Sequence, residues 1–132
     1  MPKEQPRSIL LIEDDLFIKE LYERQLTKAG FEVESAEDGA SGLVKSSEKK
    51  WSLILLDIML PEVNGLDVLR TLKSKPETKD IPVILLTNLG QDSLIKEAFD
   101  VGAEAYLIKS AYTPKQIVEE VKEFFNKHDE KK

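Results

Sequence analysis

The sequence contains no cysteine, which excludes disulfides, thiolate metal sites and cysteine nucleophiles and suits a reducing compartment. No apolar run approaches the ~18 residues that a membrane-crossing helix requires. A secretory leader is not expected either, because the aliphatic run Ile9–Ile12 is cut off at once by Glu13, Asp14 and Asp15. Positive charge is in deficit: the formal net charge is −6, which argues against a general nucleic-acid binder that must neutralise phosphates. Repeats, low-complexity stretches and a linker to a second domain are also missing. What these absences leave is one acidic, soluble, cytoplasmic domain. Its 132 residues, 41% of them apolar, suffice to bury roughly two-thirds of the unfolded surface without metal or disulfide staples. The expected limits are a loose arm at 1–7, a folded unit at 8–127 and a charged, fraying tail at 128–132.

Apolar and amphipathic runs alternate along the chain. Ser8–Ile12, Leu53–Leu56 and Ile81–Leu86 are nearly unbroken aliphatic runs, as expected of strands covered on both faces. Glu32–Ala36 is a weaker strand, and Ala105–Ile108 is short. Between them, Ile18, Leu21, Tyr22 and Leu26 share a helix face that stops at Gly30, suited to a left-handed cap. Further helices are predicted around Gly42 and Leu43, then through Leu66, Leu69 and Leu72, then through Ile95, Ala98 and Phe99 up to Gly102. The fifth carries Ile117, Val118, Val121, Phe124 and Phe125, with Thr113, Pro114 and Gln116 forming a capping box at its start. Five βα units in alternation predict an α/β fold, a mostly parallel sheet with helices on both faces. Ligands of such sheets bind beyond the carboxyl ends of the strands.

Those ends carry unusual residues. Glu13, Asp14 and Asp15 follow the first strand, Asp57 ends the third, Thr87 the fourth and Lys109 the fifth. Any one of the acids reads equally as a solvated loop residue, and Asp15 as a helix cap. Three acids at matched strand ends repel one another, and a divalent cation with hard oxygen ligands, Mg²⁺ above all, relieves that repulsion. Lys109 reads as a salt-bridge partner of Asp57 or as a point charge for a phosphoryl oxygen. Thr87 alone says little, since threonine is common in strands, yet at this position its hydroxyl can donate to the same group. A phosphoryl-transfer site needs an oxygen nucleophile, a metal and donors for the equatorial oxygens. Asp57, Asp14 with Asp57, and Lys109 with Thr87 fill those roles.

Taken together, Ile-Leu-Leu-Ile-Glu-Asp-Asp (9–15), Leu-Ile-Leu-Leu-Asp-Ile-Met-Leu-Pro (53–61), Asn64-Gly65, Ile-Pro-Val-Ile-Leu-Leu-Thr (81–87) and Gly-Ala-Glu-Ala-Tyr-Leu-Ile-Lys (102–109) resemble bacterial two-component receiver domains over residues 8–127. The resemblance implies a three-layer, doubly wound (βα)5 fold of flavodoxin-like strand order 2-1-3-4-5. It implies Asp57 as the phosphorylated aspartate, Mg²⁺ (with Mn²⁺ able to substitute) held by Asp14, Asp57 and the Met59 backbone carbonyl, and Glu13 contacting it through water. Thr87 and Lys109 match the family's hydroxyl and lysine, and Tyr106 its switch aromatic, although Tyr106 reads equally as one more strand aromatic with its hydroxyl at the surface. The donor would be a sensor histidine kinase or a histidine phosphotransfer protein. The target would be a protein docking on the face of helix 4, strand 5 and helix 5, with no direct nucleic-acid contact, no membrane insertion, and a monomer able to dimerise on phosphorylation. The domain would be no enzyme beyond its own phosphorylation and dephosphorylation.

The sequence departs from the family pattern in places. Asn88 follows Thr87 where a small residue is usual, and Ser110 follows Lys109 where proline with a cis bond is common. Met59 and Leu89 are apolar beside the acceptor and are expected to shield it from water. Pro61 and Gly65 shape the following loop, Gly65 through backbone angles open to glycine. Leu94 lies off the helix-4 stripe, either as a partner contact or as an edge-of-core leucine. A haloacid-dehalogenase-type phosphatase wants a second Asp two residues after the first, where Met59 stands, and a flavodoxin phosphate loop would be repelled by Glu13-Asp14-Asp15. A degenerate receiver that binds partners constitutively is the rival within the family.

Overall fold

A computed structural model describes residues 6–60, 63–88 and 90–130. Parallel strands bury both faces, so aliphatic runs become the sheet centre: β1 (Ser8–Ile12), β3 (Leu53–Asp57) and β4 (Val83–Thr87) are buried throughout. β2 (Glu32–Ala36) and β5 (Ala105–Ile108) form the edges, and their exposed residues, such as Glu32, Glu34 and Tyr106, mark the side facing water. The order is β2-β1-β3-β4-β5, every pairing parallel, as expected. β4 starts at Val83 rather than Ile81. Pro82 has no N–H for a ladder, and contributes only its carbonyl, which accepts from the Ile54 amide at 2.9 Å.

Successive strand residues point to opposite faces, which divides the core in two. Leu10, Ile12, Ile54, Leu56, Val83 and Leu85 meet α2 (Gly39–Ser46), α3 (Gly65–Ser74) and α4 (Asp92–Val101). Ile9, Leu11, Leu53, Leu55, Ile84 and Leu86 meet α1 (Leu16–Lys28) and α5 (Pro114–Glu130). The caps are those the sequence predicts. Asp15 accepts from the Phe17 and Ile18 amides at 3.0 and 3.1 Å, and α1 closes at Gly30 with φ +102°. Thr113 and Gln116 exchange reciprocal bonds of 2.8 and 3.1 Å.

Four expectations need correction. The expected fraying tail is helical as far as Glu130: His128 stacks on Phe124 (5.5 Å between centroids) and Asp129 pairs with Arg7. For the same reason Arg7 is no loose arm; its guanidinium lies 4.4 Å over the Phe125 ring and its carbonyl accepts from the Glu32 amide. On α4, Leu94, Ala98 and Val101 face the core, whereas Phe99 is 41% exposed. The helix is turned so that the i, i+4, i+7 stripe from Leu94 packs inward, and the stripe through Phe99 does not. Finally, Gly65 has no positive φ. It is needed for closeness, since a Cβ there would stand 2.5 Å from the Ile58 Cα and 2.6 Å from the Asp57 carbonyl oxygen.

Candidate functional site

Because all strands are parallel, their carboxyl ends share one rim, and β1, β3, β4 and β5 bring Glu13, Asp57, Thr87 and Lys109 to it. Glu13 follows β1 with its amide bonded to the Ala36 carbonyl, which continues the β1–β2 ladder one residue and buries the side chain completely. Asp57, the last residue of β3, is 2% exposed. The residue between, Asp14, is on the surface. One carboxylate oxygen from each of Glu13, Asp14 and Asp57 falls within 4.8 Å of the others.

Lys109 joins the two buried acids. Its Nζ donates to Glu13 Oε1 at 2.9 Å and to Asp57 Oδ2 at 3.1 Å. The sequence supports the Asp57 pair; the stronger contact, to Glu13, is the one it does not announce. The other Asp57 oxygen accepts from the Met59 amide at 2.9 Å, and Glu13 accepts from the Asp15 amide at 3.1 Å. Burial, followed by the Glu13 charge, pushes the Asp57 carboxyl up to about 7, against the pull of Lys109 and the Met59 amide. Burial pushes the Lys109 ammonium down, but the Glu13 hydrogen bond and the charges of Asp57 and Glu13 outweigh it and hold it above the ordinary lysine value. One lysine thus faces two buried acids and a third at the surface. The surplus negative charge and the all-oxygen donor set fit a small divalent cation such as Mg²⁺.

Thr87 is fully buried, and its hydroxyl donates to the Asn88 carbonyl at 3.2 Å rather than toward Asp57. Met59 is 48% exposed above the site; Leu89 and Pro61 lie outside the described residues. No cis peptide bond occurs among the described residues, Lys109–Ser110 included; that segment instead turns as a short 3-10 helix, Lys109–Ala111. Tyr106 is not gathered to the rim: it points outward on β5, 43% exposed. One further group feels the charges of the site. Tyr22 on α1, read in the sequence as a core aromatic, is buried, which raises its hydroxyl's pKa; Lys109 lowers it, and Glu13 and Asp57 raise it further. Its signal in the sequence is a phenol among aliphatic stripe residues, whose hydroxyl must find a polar setting.

A family model described as the response regulator receiver domain matches residues 9–122. Among curated proteins, the DNA-binding dual master transcriptional regulator RpaA of Synechocystis sp. is 43% identical over 101 residues, which are 76% of this chain and 42% of RpaA. The chain therefore spans less than half the length of such relatives. Among solved structures, the response regulator receiver domain protein (CheY-like) of Methanospirillum hungatei superposes with a TM-score of 0.87 at 26% identity, covering 97% of this chain and 100% of that one. The phosphorylated cyanobacterial phytochrome response regulator RcpA does so with a TM-score of 0.81 at 30% identity, covering 91% and 94%.

Proposed function

The chain belongs to the response regulator receiver domains of two-component signalling, and from that premise we propose that Asp57 accepts a phosphoryl group and that the domain switches partner affinity as a result. The observation that carries this reading is Lys109 bridging Glu13 and Asp57 across 96 and 52 residues of sequence, beside a third carboxylate. Receiver domains work with histidine kinases, and we assign a phosphohistidine of such a kinase, or of a phosphotransfer protein, as donor. An Asp57 oxygen forms the new O–P bond as the donor's P–N bond breaks, and the product is an acyl phosphate that water can later hydrolyse.

Asp14, Asp57 and the Met59 carbonyl would hold Mg²⁺, with Glu13 behind them through water; when bound, the ion would supply positive charge to offset that of the transferred oxygens. Lys109 exchanges its Asp57 bond for a phosphoryl oxygen. The Thr87 hydroxyl leaves the Asn88 carbonyl to donate to another, and Tyr106 turns inward toward the space so opened. Met59, with Leu89, limits water's access. A Met59→Asn, Leu89→Gln double variant should therefore lose its phosphoryl group faster, and an unchanged half-life would remove the shielding role. RcpA, a 30% identical neighbour, is described as phosphorylated, in keeping with this chemistry.

The output surface we assign is the face of α4, β5 and α5, where Phe99 and Tyr106 are exposed. No helix among the described residues is long and apolar enough to cross a membrane. RpaA's description as DNA-binding applies to a protein of which this chain matches 42%; we assign no nucleic-acid contact to the domain itself. The test is incubation with acetyl phosphate and Mg²⁺, or Mn²⁺, followed by the mass of the intact protein. One added phosphoryl mass is expected in the wild type and none in Asp57→Asn. No gain, or an equal gain in both, would leave the degenerate, constitutive binding module as the better reading.

A further inference from the structure

We propose that Phe99 is a positioning residue for Tyr106, an edge-on ring that holds the tyrosine outward and so sets how readily the domain switches. The inference rests on the reading of Tyr106 as the switch aromatic. Phe99 and Tyr106 come from different elements, α4 and β5, with centroids 5.9 Å apart and ring planes at 79°. That is the T-shaped arrangement in which a ring's positive edge meets another's negative face. Both are about two-fifths exposed, 41% and 43%, so neither ring is trapped by the core. Among the described residues Phe99 is the one ring stacked on Tyr106. The tyrosine's other flank borders an open groove of about 610 Å³ lined by Tyr112, Glu120 and Phe124 among others. The pair is therefore the one ring–ring contact that holds the tyrosine in its outward position among the described residues.

The rest of α4 explains why Phe99 is free for this. Leu94, Ala98 and Val101 take the core contacts, which turns position 99 toward β5. In the β4–β5 register Tyr106 sits opposite Leu85 and Ile108 opposite Thr87, so the ring lies one strand away from the hydroxyl whose movement makes room for it. Swinging inward breaks the edge-on contact, and the pair biases the equilibrium against the inward state by about 2- to 12-fold. By linkage the same factor weakens the binding of any phosphoryl group that favours the inward state.

The experiment uses the full chain labelled with 3-fluorotyrosine and observed by fluorine NMR. It has three tyrosines, and Tyr106→Phe assigns the relevant resonance. Beryllofluoride with Mg²⁺ stands in for the phosphoryl group. In Phe99→Ala the Tyr106 resonance should move toward its beryllofluoride-bound position before any is added, and half-saturation should need about 2- to 12-fold less beryllofluoride. Phe99→Tyr keeps the ring pair and should behave as wild type. A wild-type Tyr106 resonance that does not move on saturation overturns the switch reading and this inference together. If it moves in the wild type, but Phe99→Ala matches wild type in either resonance position or half-saturation, the inference alone falls; so it does if Phe99→Tyr shows the same gain as Phe99→Ala.

Discussion

The two halves of the rim are built differently. On the β1–β3 side two of the three carboxylates are buried and each of these has fixed partners: Glu13 with Lys109 and the Asp15 amide, Asp57 with Lys109 and the Met59 amide. The helix that follows, α3, is capped by Asn64 and buries Gly65, Leu66, Val68, Leu69 and Leu72. On the β4–β5 side the Thr87 hydroxyl is turned away to its neighbour's carbonyl. α4 has no side-chain cap at Gln91 and fully buries only Ala98, and its aromatic contact with β5 is half in water. Few buried apolar contacts and an uncapped end mean a low local cost of rearrangement. On the proposed reading the contrast is that of a holder and a responder: the proposed acceptor, Asp57, is held by fixed partners, and the side proposed to respond is weakly anchored.

The sharpest way to break this comparison is to place one methyl group on each side. In Gly65→Ala the new Cβ meets Ile58 and Asp57 backbone within 2.6 Å, and backbone cannot step aside as a side-chain end can. Unfolding free energy should drop by about 3 kcal/mol or more. Gly90, ahead of α4, has φ +84° with nothing within 4 Å of a Cβ, so Gly90→Ala meets only the backbone penalty, about 1–2 kcal/mol. Denaturant melts of both variants provide the check, and equal losses would dissolve the distinction between the two sides.

A second test concerns the charge balance of the fixed side. Folding lifts the Asp57 carboxyl from 3.8 to about 7. Between those values the folded state binds more protons than the unfolded one, so stability falls as pH rises through the window. Asparagine at position 57 does not titrate. In chelator-treated protein the stability gained by Asp57→Asn should grow from near zero below pH 4 to about 4 kcal/mol above pH 7, at about 1.4 kcal/mol for each pH unit of that window. Mg²⁺ should then narrow the gap by stabilising the wild type alone. Urea melts across that range would show it, and a pH-independent difference would mean that Asp57 is not destabilised by its surroundings.

The fixed side was the more legible in sequence, for a physical reason. Parallel strands buried on both faces need unbroken aliphatic runs, so Ile9–Ile12 and Leu53–Leu56 mark themselves, and the charge that ends each run marks the rim. The Thr113–Gln116 capping box is legible because its bonds are local. The features that escaped depend on partners remote in sequence. Arg7 is ordered by Phe125 and Asp129, and Lys109 bonds Glu13 as well as Asp57. Gly65 is dictated by backbone already laid down at Ile58. The orientation of the Thr87 hydroxyl and the outward position of Tyr106 have no decisive sequence signal, because neither a hydroxyl's rotation nor the side to which an edge-strand aromatic turns follows from local pattern.

The smallest expected effect concerns α4, where two stripes share Ala98 and periodicity alone does not choose between them. Ile95, Ala98 and Phe99 stand at i, i+3 and i+4; Leu94, Ala98 and Val101 at i, i+4 and i+7, and both spacings suit a helix face. Packing chooses the second: Leu94 rests on the core, while Phe99 stands outside the core clusters and packs edge-on against the exposed Tyr106 ring. Truncating the larger side chain should therefore matter less. Leu94→Ala is expected to lower unfolding free energy by about 1–2 kcal/mol, less than a fully buried leucine because the site is only partly covered. Phe99→Ala should cost about 0.5–1 kcal/mol, the worth of an exposed aromatic pair. Chemical denaturation of the two variants orders them, and a larger loss at Phe99 would restore the stripe read from the sequence and make the responding side as firmly anchored as the holder.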